Sequence, residues 1–204
     1  ARTQTPSLAP VVFYSRRIGL GAGGEVPILA GGRVAGRAGK VGIGLLNIET
    51  DAENAPQTPA TNFSVVRLRR DVLRRSNVGM ILTRRAPDGH PANTVLGADA
   101  NFWFYQTVTL TGFYAQSRTG TPTQAAADRS SYRGEFEWAP DRYGLKYEHL
   151  VIGSAFQPEV GFLRRTAFRR NYASARFSPR PAGSSAIRRH VFEVQLARLR
   201  DLAL

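Results

Sequence analysis

The chain has 204 residues, a length that suits one domain with an ample core. Its hydrophobic content of 42% excludes a chain that is disordered by composition, and the absence of cysteine excludes disulfides, thiol catalysis and cysteine-ligated metal sites. The 28 basic and 15 acidic residues leave a formal charge of +13. No apolar run approaches the roughly 20 residues of a membrane-spanning helix, but barrel strands carry a weaker signal and are not excluded.

Alternation of apolar and polar residues with a period of two dominates the chain and predicts strands throughout. The predicted strands are 11–19, 27–38, 41–50, 61–71, 77–85, 94–105, 108–118, 130–138, 142–152, 169–178 and 188–199. Short and long connections alternate between them. The predicted long connections are 51–60, 86–93, 119–129 and 153–168.

The first testable hairpin joins 27–38 to 41–50. Gly39 and Lys40 form a predicted two-residue turn with glycine in the first central position, as a type II′ turn requires. This register places mainly apolar residues on one face of the hairpin: Val34, Gly36, Ala38, Val41, Ile43 and Leu45. The same register places two arginines and two glycines on the opposite face: Arg33, Arg37, Gly42 and Gly44.

The second hairpin joins 94–105 to 108–118, and its register stays open at the level of sequence. A three-residue loop would bring Leu110 and Tyr114 to the same face as Phe102, whereas a two-residue loop would not.

The third hairpin is predicted to turn at Pro140 and Asp141, with proline in the position whose φ angle it presets. This turn sets Glu135 opposite Lys146, and Arg133 opposite Glu148, all on one face. The other face then has mostly aromatic and aliphatic pairs: Trp138 with Tyr143, Phe136 with Leu145, Gly134 with Tyr147 and Tyr132 with His149. A shift of one residue would destroy both patterns at once.

Alternation alone does not say whether the apolar face meets a soluble core or lipid. Predicted strands of up to 12 residues exceed the usual 5–6 residues of soluble proteins and resemble the 9–11 residues of tilted membrane strands. Alternating short and long connections are typical of outer-membrane barrels. These features favour an all-β antiparallel meander of long strands that forms part of an outer-membrane-type β-barrel, over a soluble sandwich.

Two sets of residues are candidates for a role in such a barrel. Polar residues at alternating strand positions would line the lumen as a charge network; they are Arg33, Arg37, Asp99, Asn101, Arg133, Glu135, Glu137, Lys146 and Glu148. Aromatic residues beside the short turns would form an interfacial girdle; they are Trp103, Phe104, Tyr105, Trp138 and Tyr143.

No motif in the sequence predicts catalysis or a cofactor. Gly19–Gly24 matches the letters of a dinucleotide-binding loop, but the chain continues towards Pro27 and a glycine-rich strand instead of a helix. Glu135 and Glu137 share a strand face, yet Arg133 and Lys146 on that face indicate structural ion pairs. The three histidines lack ligand spacing. We therefore predict no catalytic, cofactor-binding or metal-binding residues.

Several blocks of the sequence resemble the bacterial domain-of-unknown-function family 5916. The blocks are Phe13-Tyr14-Ser15-Arg16-Arg17-Ile18-Gly19, Pro59 to Phe63, Arg69 to Gly79 (RRDVLRRSNVG), Asp141 to Leu145, Pro158 to Arg165 (PEVGFLRR) and Phe177 to Pro181. The resemblance covers nearly the whole chain. It implies a location in the bacterial outer membrane, and a connection to glycans through a preceding module of the carbohydrate-binding family 9 type. It carries no catalytic residues.

Taken together, residues 1–204 are predicted to be one partial barrel domain, a fragment of a longer chain. The expected function is an anchoring or pore-like outer-membrane module linked to glycan handling through a carbohydrate-binding domain outside this chain. Membrane lipid or lipopolysaccharide is the expected partner, in part because double arginines recur at strand ends; nucleic acid is not. The alternatives are a soluble β-rich domain of an enzyme acting on polysaccharide and a polyanion-binding β-protein.

Overall fold

The computed structural model describes residues 8–21, 24–54, 57–121, 123–181 and 189–202. The fold is all-β. In chain order the strands are β1 (Leu20–Gly21), β2 (Gly24–Glu25), β3 (Ile28–Ala38), β4 (Val41–Thr50), β5 (Glu53–Asn54), β6 (Gln57–Thr58), β7 (Thr61–Leu73), β8 (Ser76–Pro87), β9 (Asn93–Phe104), β10 (Val108–Thr119), β11 (Ser130–Trp138), β12 (Tyr143–Ile152), β13 (Phe168–Phe177) and β14 (Phe192–Asp201). A 3₁₀ turn, Ser15–Arg17, precedes them. Within the described ranges, no helix has the length and apolarity that a membrane crossing would need.

The ten long strands form one antiparallel meander in the order β14-β13-β12-β11-β10-β9-β8-β7-β4-β3. The pairs β1–β2 and β5–β6 are separate two-stranded ribbons in the connections. Strands β3 and β14 each pair on one side only, so the described part of the sheet ends at two free edges and does not close on itself. The predicted all-β antiparallel meander is thus confirmed, while closure into a barrel stays a prediction.

Ten of the predicted strands coincide with the ten long strands to within a few residues. The largest differences lie near the chain ends. The strand predicted at 188–199 begins at Phe192, and residue 188 lies outside the described residues. The strand predicted at 11–19 is wrong: only Val11 makes an isolated bridge, to Phe162. Alternating apolar residues misled the prediction, because residues such as Phe13 and Ile18 pack onto the sheet instead of joining its edge.

The register settles the turns of the β3–β4 and β9–β10 hairpins. Ala38 pairs with Val41, and Gly39 has a φ angle of 57°, which confirms the predicted two-residue turn with glycine first. Between β9 and β10, Phe104 pairs with Val108, so the loop has three residues. Tyr105 and Gln106 in this loop have φ angles of 47° and 63°. The apolar residues of β9 and β10 therefore share a face.

The predicted register of the β11–β12 hairpin is wrong by two residues. Trp138 pairs with Leu145, and Glu137 pairs with Lys146, which leaves residues 139–142 as the loop. A shift of two residues keeps every side chain on its predicted face, because the side-chain period of a strand is two. The predicted faces are thus correct, but the predicted opposite partners are not: Glu135 stands opposite Glu148, and Gly134 opposite His149.

The connections divide the sheet into two ends. Turns at 39–40, 74–75, 105–107 and 139–142 lie at one end, which we call the turn end. The connections 51–60, 88–92, 120–129 and 153–167 lie at the opposite end, which we call the loop end. The connection 178–191, which is only partly described, joins β13 to β14 at the turn end and breaks the alternation of short and long.

The core lies on one side of the sheet, which we call the inner face. Two segments cover its loop-end half: the strap (residues 8–18) and the connection 153–167. One buried cluster contains Val95, Ala115, Leu150, Ile152, Phe156 and Phe168, and a second contains Ile18, Phe63, Val65 and Val160. Phe156 and Val160 are 1% and 0% exposed, and each such burial contributes about 1.5–3 kcal/mol. These anchors hold the two segments on the sheet.

Candidate functional site

The nine residues predicted to form a charge network all occupy inner-face positions. Arg33 stands in one cross-strand row with Leu46, Val65, Thr83 and Val95. Asp99, four residues after Val95 in β9, stands in a second row with Phe113, Arg133 and Leu150. Cross-strand partners share a face, and so do alternate residues along a strand. The period-two prediction therefore placed this set on one face correctly, although its members lie in several groups.

The densest group is a chain of alternating charges on β11, β12 and β13, in the order Arg170, Glu148, Arg133, Glu135, Lys146. Arg170 Nη1 donates to Glu148 Oε1 at 3.0 Å, and Arg133 Nε donates to Glu148 Oε2 at 2.7 Å. Arg133 Nη2 also donates to Glu135, whose carboxylate lies 3.2 Å from Lys146 Nζ. We call these five residues the ion network. Its three cations and two carboxylates are paired throughout.

The two ends of the ion network differ in solvent exposure. The Arg170 and Glu148 side chains are each 8% exposed, whereas the Lys146 side chain is 34% exposed. Arg170 also lies over the Tyr172 ring, 5.2 Å from its centroid. A buried carboxylate held by two guanidinium groups fixes neighbouring strands to one another, because each charge depends on its partner for solvation.

The other predicted charges have different surroundings. Asp99 accepts a bidentate pair from Arg67, with Arg67 Nη2 2.9 Å from Asp99 Oδ2. Arg37 pairs with Asp71 at 2.5 Å on the exposed turn end. Asn101 has a buried Oδ1 without a hydrogen-bond partner. Within the described part of the chain, neither the Arg33 nor the Glu137 side chain makes a hydrogen bond or an ion pair.

Sequence reasoning missed Arg67 and Arg170, which complete these groups. Both stand at inner-face positions, so the alternation of side chains between the two faces of a strand could have identified them. The ion pair from Arg85 on β8 to Glu159 in the connection 153–167, at 2.9 Å, could not have been found this way. It depends on how a non-strand segment crosses the sheet.

The five predicted girdle residues lie near the turn end but do not share one environment. Phe104, Trp138 and Tyr143 occupy outer-face positions, and the Trp138 and Tyr143 rings stack with centroids 6.4 Å apart. Phe177 extends this stack, 5.4 Å from the Tyr143 ring. Trp103 occupies an inner-face position, and Tyr105 is a turn residue with 93% exposure.

The strap and the connection 153–167 are joined to each other by backbone hydrogen bonds. Val11 and Phe162 exchange two such bonds, of 3.0 and 2.7 Å, and Tyr14 N–H donates to Val160 O at 2.9 Å. Beneath them, buried Asn93 donates to Gln157 O at 2.9 Å and accepts from Glu159 N–H at 3.3 Å. The two segments therefore form a second layer across the inner face.

Two of the titratable groups considered for chemistry, Glu135 and His149, make contacts with neighbouring side chains. Glu135, one of the two carboxylates considered for hydrolysis, is engaged by Arg133 and Lys146, and Glu137 on the same strand is not. His149 lies on the outer face, where its ring nitrogen Nδ1 is 2.7 Å from Asn171 Oδ1. In the described ranges, no cluster of three histidine or acidic side chains could hold a metal ion. No helix begins at the described glycines of Gly19–Gly24, where β1 and β2 form a ribbon instead.

Comparisons with protein-family models, with curated proteins and with solved structures find no match to this chain. The resemblance to family 5916 stays a prediction from the sequence blocks.

Proposed function

We propose that this chain is a membrane module of the outer-membrane type, whose outer face contacts lipid and whose inner face is turned towards a polar interior. One observation carries the proposal: large apolar side chains cover the outer face from β3 to β14. These side chains are 38% to 70% exposed. They are Val34, Ile43, Leu45, Leu68, Met80, Leu96, Leu110, Tyr114, Tyr132, Phe136, Leu145, Tyr147, Phe177, Val194 and Leu196.

On the outer face, the distribution of polarity is the reverse of a water-soluble sheet, whose unpacked face is polar. Scattered exposed apolar residues are ordinary, but a continuous apolar surface larger than a few hundred Å² is rare on soluble monomers. Here the ion network and the Arg67–Asp99 pair lie on the opposite, inner face. Lipid-facing apolar residues that alternate with polar interior residues are typical of membrane strands.

The charged residues of the outer face support a contact with lipid head groups near the loop end. Exposed arginines gather where the strands approach the loop end; they are Arg84, Arg118, Arg169, Arg198 and Arg200. Near the loop end, these guanidinium groups could pair with phosphates of lipid or lipopolysaccharide. The bacterial outer membrane, with such a phosphate-bearing surface as partner, is the location we propose.

The covered inner face favours an anchor over an open pore. The strap and the connection 153–167 occupy the loop-end half of this face through Phe156, Val160 and Ile18. A link to glycan handling rests on the family resemblance alone and remains part of the proposal.

The experiment uses the absence of cysteine in the natural chain. Leu110→Cys places a thiol on the outer face, and Thr111→Cys places one on the inner face of the same strand. Each variant is labelled with an environment-sensitive fluorophore, and the full-length protein is reconstituted in phosphatidylcholine vesicles. We expect blue-shifted emission and quenching by brominated lipid for position 110, and neither effect for position 111.

Equal emission at the two positions, or a protein that stays monomeric and soluble without detergent, would reject the proposal. The second result would favour the soluble β-rich domain. Heat-modifiable migration of protein extracted from outer-membrane fractions provides a second, independent measurement of the same proposal.

A further inference from the structure

A cavity of about 790 Å³ lies between the strap and the inner face at the β3 side of the sheet. The strap contributes residues 10–13, Ser15 and Ile18 to its wall, and the sheet contributes residues of β3, β4, β7, β8, β9 and β10. Its volume falls within the range of about 300–1,000 Å³ that is typical of small-molecule sites. The cavity is separate from the ion network, which contributes no residue to its wall.

The wall of this cavity is apolar towards the loop end. Phe13 and Ile18 of the strap face Leu46, Ile48, Val65 and Ile81 of the sheet. Such a wall accommodates a hydrocarbon chain, because apolar surface gains about 25 cal/mol per Å² when it leaves water. A polar ligand would find few hydrogen-bond partners along this part of the cavity.

The wall also carries three charged residues. Arg33 on the edge strand β3 stands in the same cross-strand row as Leu46 and Val65, whereas Arg67 and Asp99 line the wall closer to the turn end. Asp99 neutralises Arg67 through their bidentate pair. Arg33 has no hydrogen-bond or ion-pair partner among the described residues, so the cavity wall carries one uncompensated positive charge.

We propose that this cavity binds a single-chain amphiphile with an anionic head group. The head group pairs with Arg33, and the hydrocarbon chain lies beneath the strap along the apolar part of the cavity wall. Guanidinium groups bind carboxylate and phosphate oxygens alike, so a carboxylate or a phosphate could serve as the head group. The inference does not depend on the medium that surrounds the outer face, since the cavity lies on the inner face.

The test measures the fluorescence of 11-(dansylamino)undecanoic acid on binding, and its displacement by laurate, dodecyl phosphate or 1-dodecanol. Measurements use the full-length protein in phosphatidylcholine nanodiscs, with empty nanodiscs as the background for partitioning, or in plain buffer if the protein is soluble. We expect displacement by laurate or dodecyl phosphate at concentrations well below those needed for 1-dodecanol. Comparison of the two anions shows which head group the site prefers.

Variants of Arg33 test the head-group contact. Arg33→Gln should weaken laurate binding about tenfold, the loss expected for one charge-assisted hydrogen bond, and should leave 1-dodecanol unchanged. Arg33→Lys should restore part of the affinity. Arg37→Gln is the matched control, because Arg37 is on the same face of β3 but pairs with Asp71 outside the cavity; its laurate affinity should equal that of the natural protein.

A variant of Ala35 tests the cavity itself. Ala35 lines the cavity from the edge strand β3, so Ala35→Trp should fill the space and remove binding of both laurate and 1-dodecanol. The proposal is overturned if the natural protein does not bind the dansyl probe above the empty-nanodisc background, or if Arg33→Gln and Arg37→Gln bind laurate equally well. Both arginine variants are at exposed positions, so their folding is not at risk.

Discussion

At the scale of single residues, Glu148 is the charge whose environment depends most on its neighbours. It is 6% exposed, and both of its carboxylate oxygens are occupied by guanidinium groups, from Arg133 and Arg170. Removing the carboxylate charge would leave Arg170, which is also 6% exposed, without a counter-ion. Uncompensated buried charges are costly because the protein interior solvates them poorly.

We therefore expect Glu148→Gln to lower the free energy of unfolding by about 3–5 kcal/mol. Asp71→Asn is the matched control, because it breaks the Arg37–Asp71 pair, whose side chains are 65% and 36% exposed. Its effect should stay within about 1 kcal/mol. Denaturant titration of the two variants measures both values. Similar losses in the two variants would show that burial of the ion network does not contribute to stability.

The sequence predicted the faces of these residues but not all of their partners. Alternation is a local property of a strand, so Arg133, Glu135 and Glu148 could be assigned to one face without a structure. Contacts between Arg170 and Glu148, or between Arg67 and Asp99, depend on side-chain reach and on the strand order. The unpaired state of Arg33 is likewise visible only in the folded chain.

At the scale of elements, the β11–β12 hairpin shows how far turn chemistry predicts register. Pro140 and Asp141 do lie in the turn, but the loop has four residues, 139–142. The predicted ion pairs still form, because Arg133 reaches Glu148 and Lys146 reaches Glu135 as diagonal neighbours. Long basic side chains tolerate a two-residue shift, so the charge pattern could not distinguish the two registers.

The strap is the element that sequence patterns predicted wrongly, and Gly161 holds it in place. A Cβ atom at Gly161 would lie 2.1 Å from Val11 O and 2.8 Å from Val12 O. These contacts are with backbone atoms, which cannot rotate away as a side chain can. The close approach also allows Arg17 Nε to donate to Gly161 O at 3.2 Å.

Gly161→Ala should therefore displace the strap from the connection 153–167 while the sheet remains folded. We expect faster amide hydrogen exchange at Val11 and Tyr14 and faster proteolysis within residues 8–18, because their backbone hydrogen bonds would be lost. Gly134→Ala in β11 is the matched control, since nothing lies within 4 Å of its added Cβ. Equal protection of the strap in the two variants would contradict this role of Gly161.

At the scale of the whole molecule, the medium that the outer face contacts determines the effect of a charged substitution on that face. Met80 stands on the outer face of β8 and is 52% exposed. If this face contacts lipid, Met80→Lys should cost about 2–4 kcal/mol of folding free energy in a bilayer, because hydrocarbon does not solvate an ammonium group. If the face contacts water, the same substitution should change stability by only about 0.5 kcal/mol.

Urea titration of the protein folded in phosphatidylcholine vesicles measures this difference. Tyr105→Lys serves as the control, because Tyr105 is in the turn between β9 and β10 and is 93% exposed. Its unfolding free energy should be unchanged in either medium. A negligible effect of Met80→Lys in vesicles would count against a lipid-facing outer surface.

The sequence by itself determined the antiparallel meander, the positions of the ten long strands and the division of their residues between two faces. It could do so because a strand repeats every two residues and turn residues mark its ends. Only the tertiary structure decided the register of β11 against β12, the path of the strap across the inner face and the presence of a cavity beneath it. These features depend on contacts between residues far apart in the chain, as between Val11 and Phe162, and no local pattern encodes such contacts.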